Sequence, residues 1–356
     1  MSSILYYITG HGYGHAVRSN QLICSLQRIR PDLTIHVRST APDWLFQGGV
    51  LQSRQAMDVG ILQKDSLQMD LDGTVRACQA LLGSVPRLIE QETDFVERHH
   101  IRLILGDIPP LCFEIAAQTS IASVAISNFT WSWIYQAYIK THPAFESIVE
   151  QMKAMYRKAT LALTLPYAGG MDVFPRQEPL SWVARASPLA KSDARRSFQL
   201  PQFATVVLLS FGGLGLDRFP WDKLRNLREF FFVTTGAAKQ KIDNMLCLPE
   251  AQRNYADLVR ASDIVVTKPG YGIVADVLSH QVPVLYTERG DFAEYQYLVQ
   301  ALSECATAEF IPQDRVLCGD LAPYLNRLLD RKPNWPKVPL DGAEVAAAKI
   351  SELMDL

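Results

Sequence analysis

Residues 10–15 read Gly-His-Gly-Tyr-Gly-His, directly after the apolar run Ile4-Leu5-Tyr6-Tyr7-Ile8. The run suits a buried strand, and from Ala16 to Leu26 apolar residues recur at helical spacing. The chain therefore opens strand, glycine-rich turn, helix. Glycines let the backbone turn sharply, and a helix N-terminus offers free N–H groups to an anion. A dinucleotide fingerprint shares this opening, but it needs a small residue at position 15, where this chain has His. It also wants an acidic residue about 20 positions on. The next strand, Leu33 to Val37, ends in Arg38-Ser39, which leaves a 2′-phosphate reader open through Arg38 alone. No Gly-Lys-Ser/Thr follows a glycine-rich turn, so a P-loop is absent.

At 356 residues the chain is longer than one core usually holds, which predicts two domains. Basic and acidic residues number 35 and 37, net −2, without a Lys/Arg cluster, which argues against nucleic acid as a partner. Six cysteines lie scattered without a CxxC pair, as expected of reduced thiols in a cytoplasmic protein rather than a zinc site. The opening apolar run is too short for a signal peptide, and no stretch reaches membrane-spanning length. A peripheral membrane contact stays open.

Strands and helices alternate twice along the chain. The first series places strands at 101–105, 121–126 and 161–165, with helices at 111–118, 130–140 and 144–158. Residues 166–188, rich in Pro, Gly and charge, read as a linker. The second series has strands at 204–209, 230–233, 263–266 and 282–286, helices at 271–278 and 292–303, and glycine-rich turns at 210–215 and 268–272. Such alternation implies parallel sheets with right-handed crossovers. The expected architecture is α/β with two Rossmann-like domains facing a cleft: an N-terminal domain at 1–165, the linker, a C-terminal domain at 189–340, and a terminal helix at 341–356 packing back on the first domain.

Several segments together resemble the GT-B glycosyltransferase superfamily, and in particular the glycosyltransferase-like domain of L-arabinokinase. They are His11-Gly12-Tyr13-Gly14-His15 with Arg18, Leu62 to Leu67, Gly106 to Pro110, Ser127 to Trp131, Lys268 to Gly272 and Arg289 to Glu294. The resemblance spans roughly residues 4 to 305, and the kinase domain of arabinokinase has no counterpart. The same spacing resembles the enzyme that adds N-acetylglucosamine to lipid-linked muropeptide and, more loosely, plant UDP-sugar transferases.

The resemblance implies a nucleotide-sugar donor, UDP-linked, on the C-terminal domain and an acceptor on the N-terminal domain. The donor's diphosphate would rest on Gly270-Tyr271-Gly272 with Lys268 near it, and Gly212 and Gly213 would line the phosphate loop. Asp276 stands at the family's ribose-binding Glu, and Glu294 and Tyr295 at its sugar-contacting pair. His15 aligns with the general base and Asp107 with the carboxylate that orients it. The acceptor, a saccharide, lipid-linked or small molecule, would meet Gly12, Gly14, Arg18, Asn128 and Trp131. Neither metal nor cofactor is implied, because helix dipole and N–H groups stabilise the leaving diphosphate.

Other readings of the same residues remain. Trp131, Trp133, Tyr135 and Tyr138 suit an acceptor platform or a helix packing its core equally well. Asp70-Leu71-Asp72 matches a metal-binding Asp-x-Asp by pattern, while Asp72-Gly73 suits a turn. Three functions compete: sugar transfer, hydrolysis of a nucleotide sugar with His15 activating water, and sugar-nucleotide binding without catalysis. The Gly-x-Gly-His-x-x-Arg pattern of residues 12–18 is similar to that of a UDP-sugar hydrolase.

Overall fold

The computed structural model of the chain describes residues 2–63, 69–211, 220–236, 240–252 and 254–355. The apolar run at the start forms strand β1 (Ser3–Ile8), buried along its whole length. A strand covered on both faces is continuously apolar rather than alternating, which is why the run was legible. It is followed in chain order by β2 (Thr34–Arg38), β3 (Leu51–Ser53), β4 (Ile101–Asp107), β5 (Ser123–Phe129), β6 (Leu161–Gly169) and β7 (Gln177–Pro179). These strands make one parallel sheet in the order β3-β2-β1-β4-β5-β6-β7. This is the doubly wound order, with its reversal between β1 and β4. Ile8 is in register with Asp107, so the two strand ends on either side of the reversal lie together.

The second sheet repeats the plan. Its strands are β8 (Thr205–Ser210), β9 (Phe230–Gly236), β10 (Gln240–Ile242), β11 (Met245–Pro249), β12 (Ile264–Thr267), β13 (Val284–Tyr286) and β14 (Ala308–Phe310). The order is β10-β11-β9-β8-β12-β13-β14, parallel except for the β10–β11 hairpin. Here the reversal falls between β8 and β12.

The chain divides into two units, residues 1–183, 292–294 and 341–356 in the first and 184–291 and 295–340 in the second. The segment 166–188 is largely part of the first unit: β6 runs to Gly169 and β7 joins the sheet edge. Its prolines and glycines serve strand ends and turns rather than a free linker. The helix Gly342–Asp355 packs on the helix Tyr13–Ile29, with ion pairs Arg28–Glu344 and Arg30–Asp355 at 2.9 and 3.0 Å. Gly342 is required at its start, because a Cβ there would stand 2.3 Å from the Ser181 carbonyl oxygen.

One long element had no clear trace in the sequence pattern. The helix Leu71–Arg98 contains Gly73, Gly83 and Pro86, which break the periodic reading. Asp70 caps it, accepting from Gly73 N at 2.9 Å. Asp72-Gly73 is thus the first turn of a helix rather than a loop turn, and Asp70 is spent on the cap. Among the described residues no helix is long and apolar enough to cross a membrane.

Candidate active site

At the first sheet's reversal the chain leaves β1 through Gly10, His11 and Gly12. Gly12 has φ of +74°, a left-handed value that L side chains rarely adopt, and it starts the helix Tyr13–Ile29. Gly10 runs so close to Thr40 that a Cβ would meet the hydroxyl at 1.9 Å. The turn delivers His15, Arg18 and Ser19 to the buried side of the helix, opposite the end of β4.

These residues converge on Asp107, which is wholly buried. Its Oδ1 accepts from Arg18 Nη2 at 2.6 Å and lies 2.8 Å from His15 Nδ1. Its Oδ2 accepts from Arg18 Nε at 2.7 Å and from Ser19 Oγ at 3.1 Å. Burial alone would push this carboxyl up. The charges of Arg18 and His15 and their hydrogen bonds outweigh burial and hold it well below the usual carboxylate range.

Counting hydrogens fixes the histidine tautomer. Arg18 Nη2 carries two, and two oxygens take them: Asp107 Oδ1 and Ser127 Oγ, the latter at 3.0 Å. None is left for His15 Nδ1, although Nη2 stands 2.8 Å from it. Nδ1 must therefore carry the proton and donate it to Asp107. In the neutral ring the lone pair is then on Nε2, which nothing among the described residues hydrogen-bonds.

The network extends further. Arg18 Nη1 donates to Asn128 Oδ1 at 2.6 Å, and Asn128 Nδ2 donates to Glu294 Oε1 at 2.8 Å. His15, Asp107, Arg18, Asn128 and Glu294 thus form one buried chain of polar groups. Glu294, expected to touch the donor sugar, is anchored on the first unit with Phe292, whose ring lies 6.2 Å from both His11 and Phe129. Arg18 and Asn128, expected to meet an acceptor, serve this interior network.

The aromatic segment after β5 belongs to the core. Trp131 and Tyr135 are wholly buried, stacked 5.8 Å apart, and Tyr138 joins the same cluster. Trp131 gives its indole N–H to Asp58 Oδ2 at 2.8 Å. The platform expected around Trp131 is therefore turned inward, because rings at helical spacing gain more from burial against the helix Phe145–Tyr156 than from an exposed face. Gly12 remains exposed at the helix start, and Gly14 is partly exposed in its first turn.

In the second unit β12 ends at Thr267, and Lys268-Pro269-Gly270 leads into the helix Tyr271–His280. That helix has neither a side-chain cap nor an acid in its first turn, which Gly272 shares, so its N-terminal dipole is uncompensated there. Burial, and then the charge of Arg289, push the Lys268 ammonium below its ordinary value. Arg289 Nη1 donates to the Pro269 carbonyl at 3.0 Å and lies 3.9 Å from where a Cβ on Gly270 would be. Two cations thus crowd one helix start.

Asp276, expected at a ribose, is buried and bound by Arg185. Its oxygens accept from Arg185 Nε at 3.1 and 3.2 Å, from Nη2, and from the Arg185 backbone N at 3.3 Å. The Arg185 guanidinium lies 5.2 Å from the Tyr255 ring, whose hydroxyl meets Ser210 Oγ at 2.5 Å. Tyr295 is partly buried, and burial pushes its phenol up to about 12. Gly212 and Gly213 lie outside the described residues, as do 64–68 of the Leu62–Leu67 segment. A cavity of about 330 Å³ beside β14, lined in part by Tyr286, Arg331 and Asn334, includes none of these residues. Among the described residues no group of three or more His, Cys, Asp or Glu could hold a metal ion, and all six cysteines are free.

Asp58, Ser19 and Arg185 were not evident in the sequence. Ser19 follows Arg18 on a helix already recognised and was within reach of pattern reasoning. Asp58 lies in an irregular stretch and gave no signal.

This fold has known counterparts. The profile of glycosyl transferase family 1 matches residues 2–165. The chain is 28% identical to L-arabinokinase of Arabidopsis thaliana over 98% of its own length, and spans 34% of the length of that protein. Among solved structures it is similar to the calicheamicin glycosyltransferase, with a TM-score of 0.65 and 13% identity over 99% of this chain and 98% of the other. It is also similar to MurG of Acinetobacter baumannii, with a TM-score of 0.59 and 12% identity over 99% and 100%. The chain has the GT-B fold.

Proposed function

We propose that this protein is a metal-independent glycosyltransferase that uses a nucleotide sugar, UDP-linked, and that His15 is its general base. The observation that carries this reading is the contact of His15 Nδ1 with the buried Asp107 carboxylate at 2.8 Å, which in the neutral ring leaves the Nε2 lone pair available. Nε2 would accept the proton of an acceptor hydroxyl. The acceptor oxygen would form its bond to C1 of the sugar as the C1–O bond to the diphosphate breaks and the electron pair leaves with the diphosphate. Asp107 would hold the imidazolium that forms. The start of the helix Tyr271–His280, with Lys268 and Arg289, suits the leaving diphosphate, since an anion would relieve the repulsion between the two cations.

A second reading has support of its own. With Trp131 and Tyr135 in the core, the segment after β5 offers less acceptor surface than its composition suggested. Hydrolysis of the donor, with Nε2 activating water, needs no such surface. One experiment separates the two: purified protein is given a panel of nucleotide sugars with and without cell extract as acceptor source. Transfer predicts nucleotide release that depends on extract. Rapid release of free sugar without extract means hydrolysis. No release from any donor under either condition contradicts both.

A further inference from the structure

Asp276 is the only acid of the helix Tyr271–His280, one turn after Gly272. A nucleoside diphosphate held by its phosphates at the start of this helix would carry its ribose hydroxyls past the α-phosphate. A free carboxylate one turn along the helix would be the group to accept them. Asp276 is not free. A carboxylate has about four lone-pair directions, and Arg185 meets all of them. Oδ1 accepts from the backbone N at 3.3 Å and from Nε at 3.2 Å, and Oδ2 accepts from Nε at 3.1 Å and from Nη2. The Asp276 side chain is 2% exposed and that of Arg185 18%, so the guanidinium stands on the solvent side of the pair.

The pair is held from both sides. Two residues on, Ser187 N donates to His280 Nε2 at 2.9 Å, while His280 Nδ1 donates to the Asp276 carbonyl at 2.7 Å. Asp276 and His280, one turn apart, thus clamp residues 185–187 to one helix face. The guanidinium also lies 5.2 Å from the Tyr255 ring, whose hydroxyl meets Ser210 Oγ. Ser210 ends β8 in register with Thr267 at the end of β12, and Thr267 Oγ1 donates to the Ser210 carbonyl at 2.6 Å. Arg185 is therefore fixed at the reversal point of the second sheet, where strand ends open a crevice for a ligand. Burial would push its guanidinium down, and the charge and hydrogen bonds of Asp276 outweigh burial. Separating such a pair leaves a buried charge uncompensated, which a neutral hydroxyl does not repair.

We propose that Arg185 is a specificity-determining residue: by occupying Asp276 it leaves the donor site without a carboxylate for the ribose, so that the site takes ribonucleoside and 2′-deoxyribonucleoside diphosphates alike. This rests on the reading of the protein as a nucleotide-sugar enzyme.

The test is calorimetric binding of UDP and of 2′-deoxy-UDP to the purified protein, which needs no acceptor. A hydroxyl on a free carboxylate contributes about tenfold or more in affinity. In the parent protein the two dissociation constants should agree to within about threefold, well short of that. Arg185→Ala uncovers Asp276 and should make UDP the tighter ligand by about tenfold or more. Adding Asp276→Asn to that variant should remove the difference. A tenfold preference for UDP in the parent protein overturns the proposal, and that measurement depends on no variant folding. An unchanged ratio in Arg185→Ala, or a preference there that survives Asp276→Asn, overturns it as well. Binding of neither nucleotide by the parent protein removes the donor reading itself, whereas a parent preference for UDP leaves that reading standing and overturns only the role of Arg185.

Discussion

The two units both carry a doubly wound sheet and use its reversal point differently. In the first, β1 and β4 deliver a histidine, a carboxylate and a guanidinium into one buried cluster. In the second, β12 delivers a helix start with two cations and small residues, and the acid in that helix, Asp276, is occupied by Arg185. A reversal point offers a crevice at the carboxyl ends of the strands and does not dictate what fills it. On the function proposed above, the charged, hydrogen-bonded cluster would serve proton transfer and the uncapped helix start would hold an anion. One fold used twice would then divide chemistry from binding.

Several substitutions can break or sharpen that contrast. Arg18→Met should have the largest effect on stability, because it leaves Asp107 buried and without its cation. Removing one partner of a buried pair costs about 3–5 kcal/mol, and the midpoint of chemical denaturation should fall accordingly. A drop below about 1 kcal/mol would mean that the cluster is not a buried ion pair in solution.

The same pair makes stability depend on acid. Asp107 binds its proton less readily in the folded than in the unfolded chain, so its contribution is fully present above the unfolded value of about 3.9 and is lost as pH falls below it. Unfolding free energy measured against pH should decline below about pH 4 in the parent protein. The decline should be shallower in Arg18→Met, where nothing holds the carboxyl down. Equal slopes would contradict the assignment. A smaller effect is expected for Trp131→Phe, which removes one hydrogen bond and leaves the ring packing: about 1 kcal/mol of stability, with donor turnover kept. Loss of turnover at full stability would return Trp131 to an acceptor site.

Much of the first cluster was legible because its members sit at fixed points of one grammar. His15 and Arg18 follow the opening turn, and Asp107 ends the strand that doubly wound order places beside β1. What pattern could not give was which partners compete for a side chain. Asp276 reads as available until Arg185, distant in sequence, is seen to hold it. Trp131 and Tyr135 read equally as a surface or a core, since helical spacing does not say which neighbour covers a face. Asp58 carries no periodic signal, and its place beside Trp131 depends on a long-range contact. The helix Leu71–Arg98 was hidden because tertiary packing sustains it through Gly83 and Pro86.

The division of labour between the two reversal points is tested most directly by crossing two variants in one assay, with UDP affinity and the rate of UDP release from a UDP-sugar donor measured in both. His15→Ala should keep the parent affinity and lose turnover by about 10² to 10⁴. Gly272→Val, which crowds the helix start, should weaken UDP binding by roughly tenfold or more and, at saturating donor, keep far more turnover than His15→Ala. Turnover that survives in His15→Ala, or UDP affinity unchanged in Gly272→Val, would contradict the account.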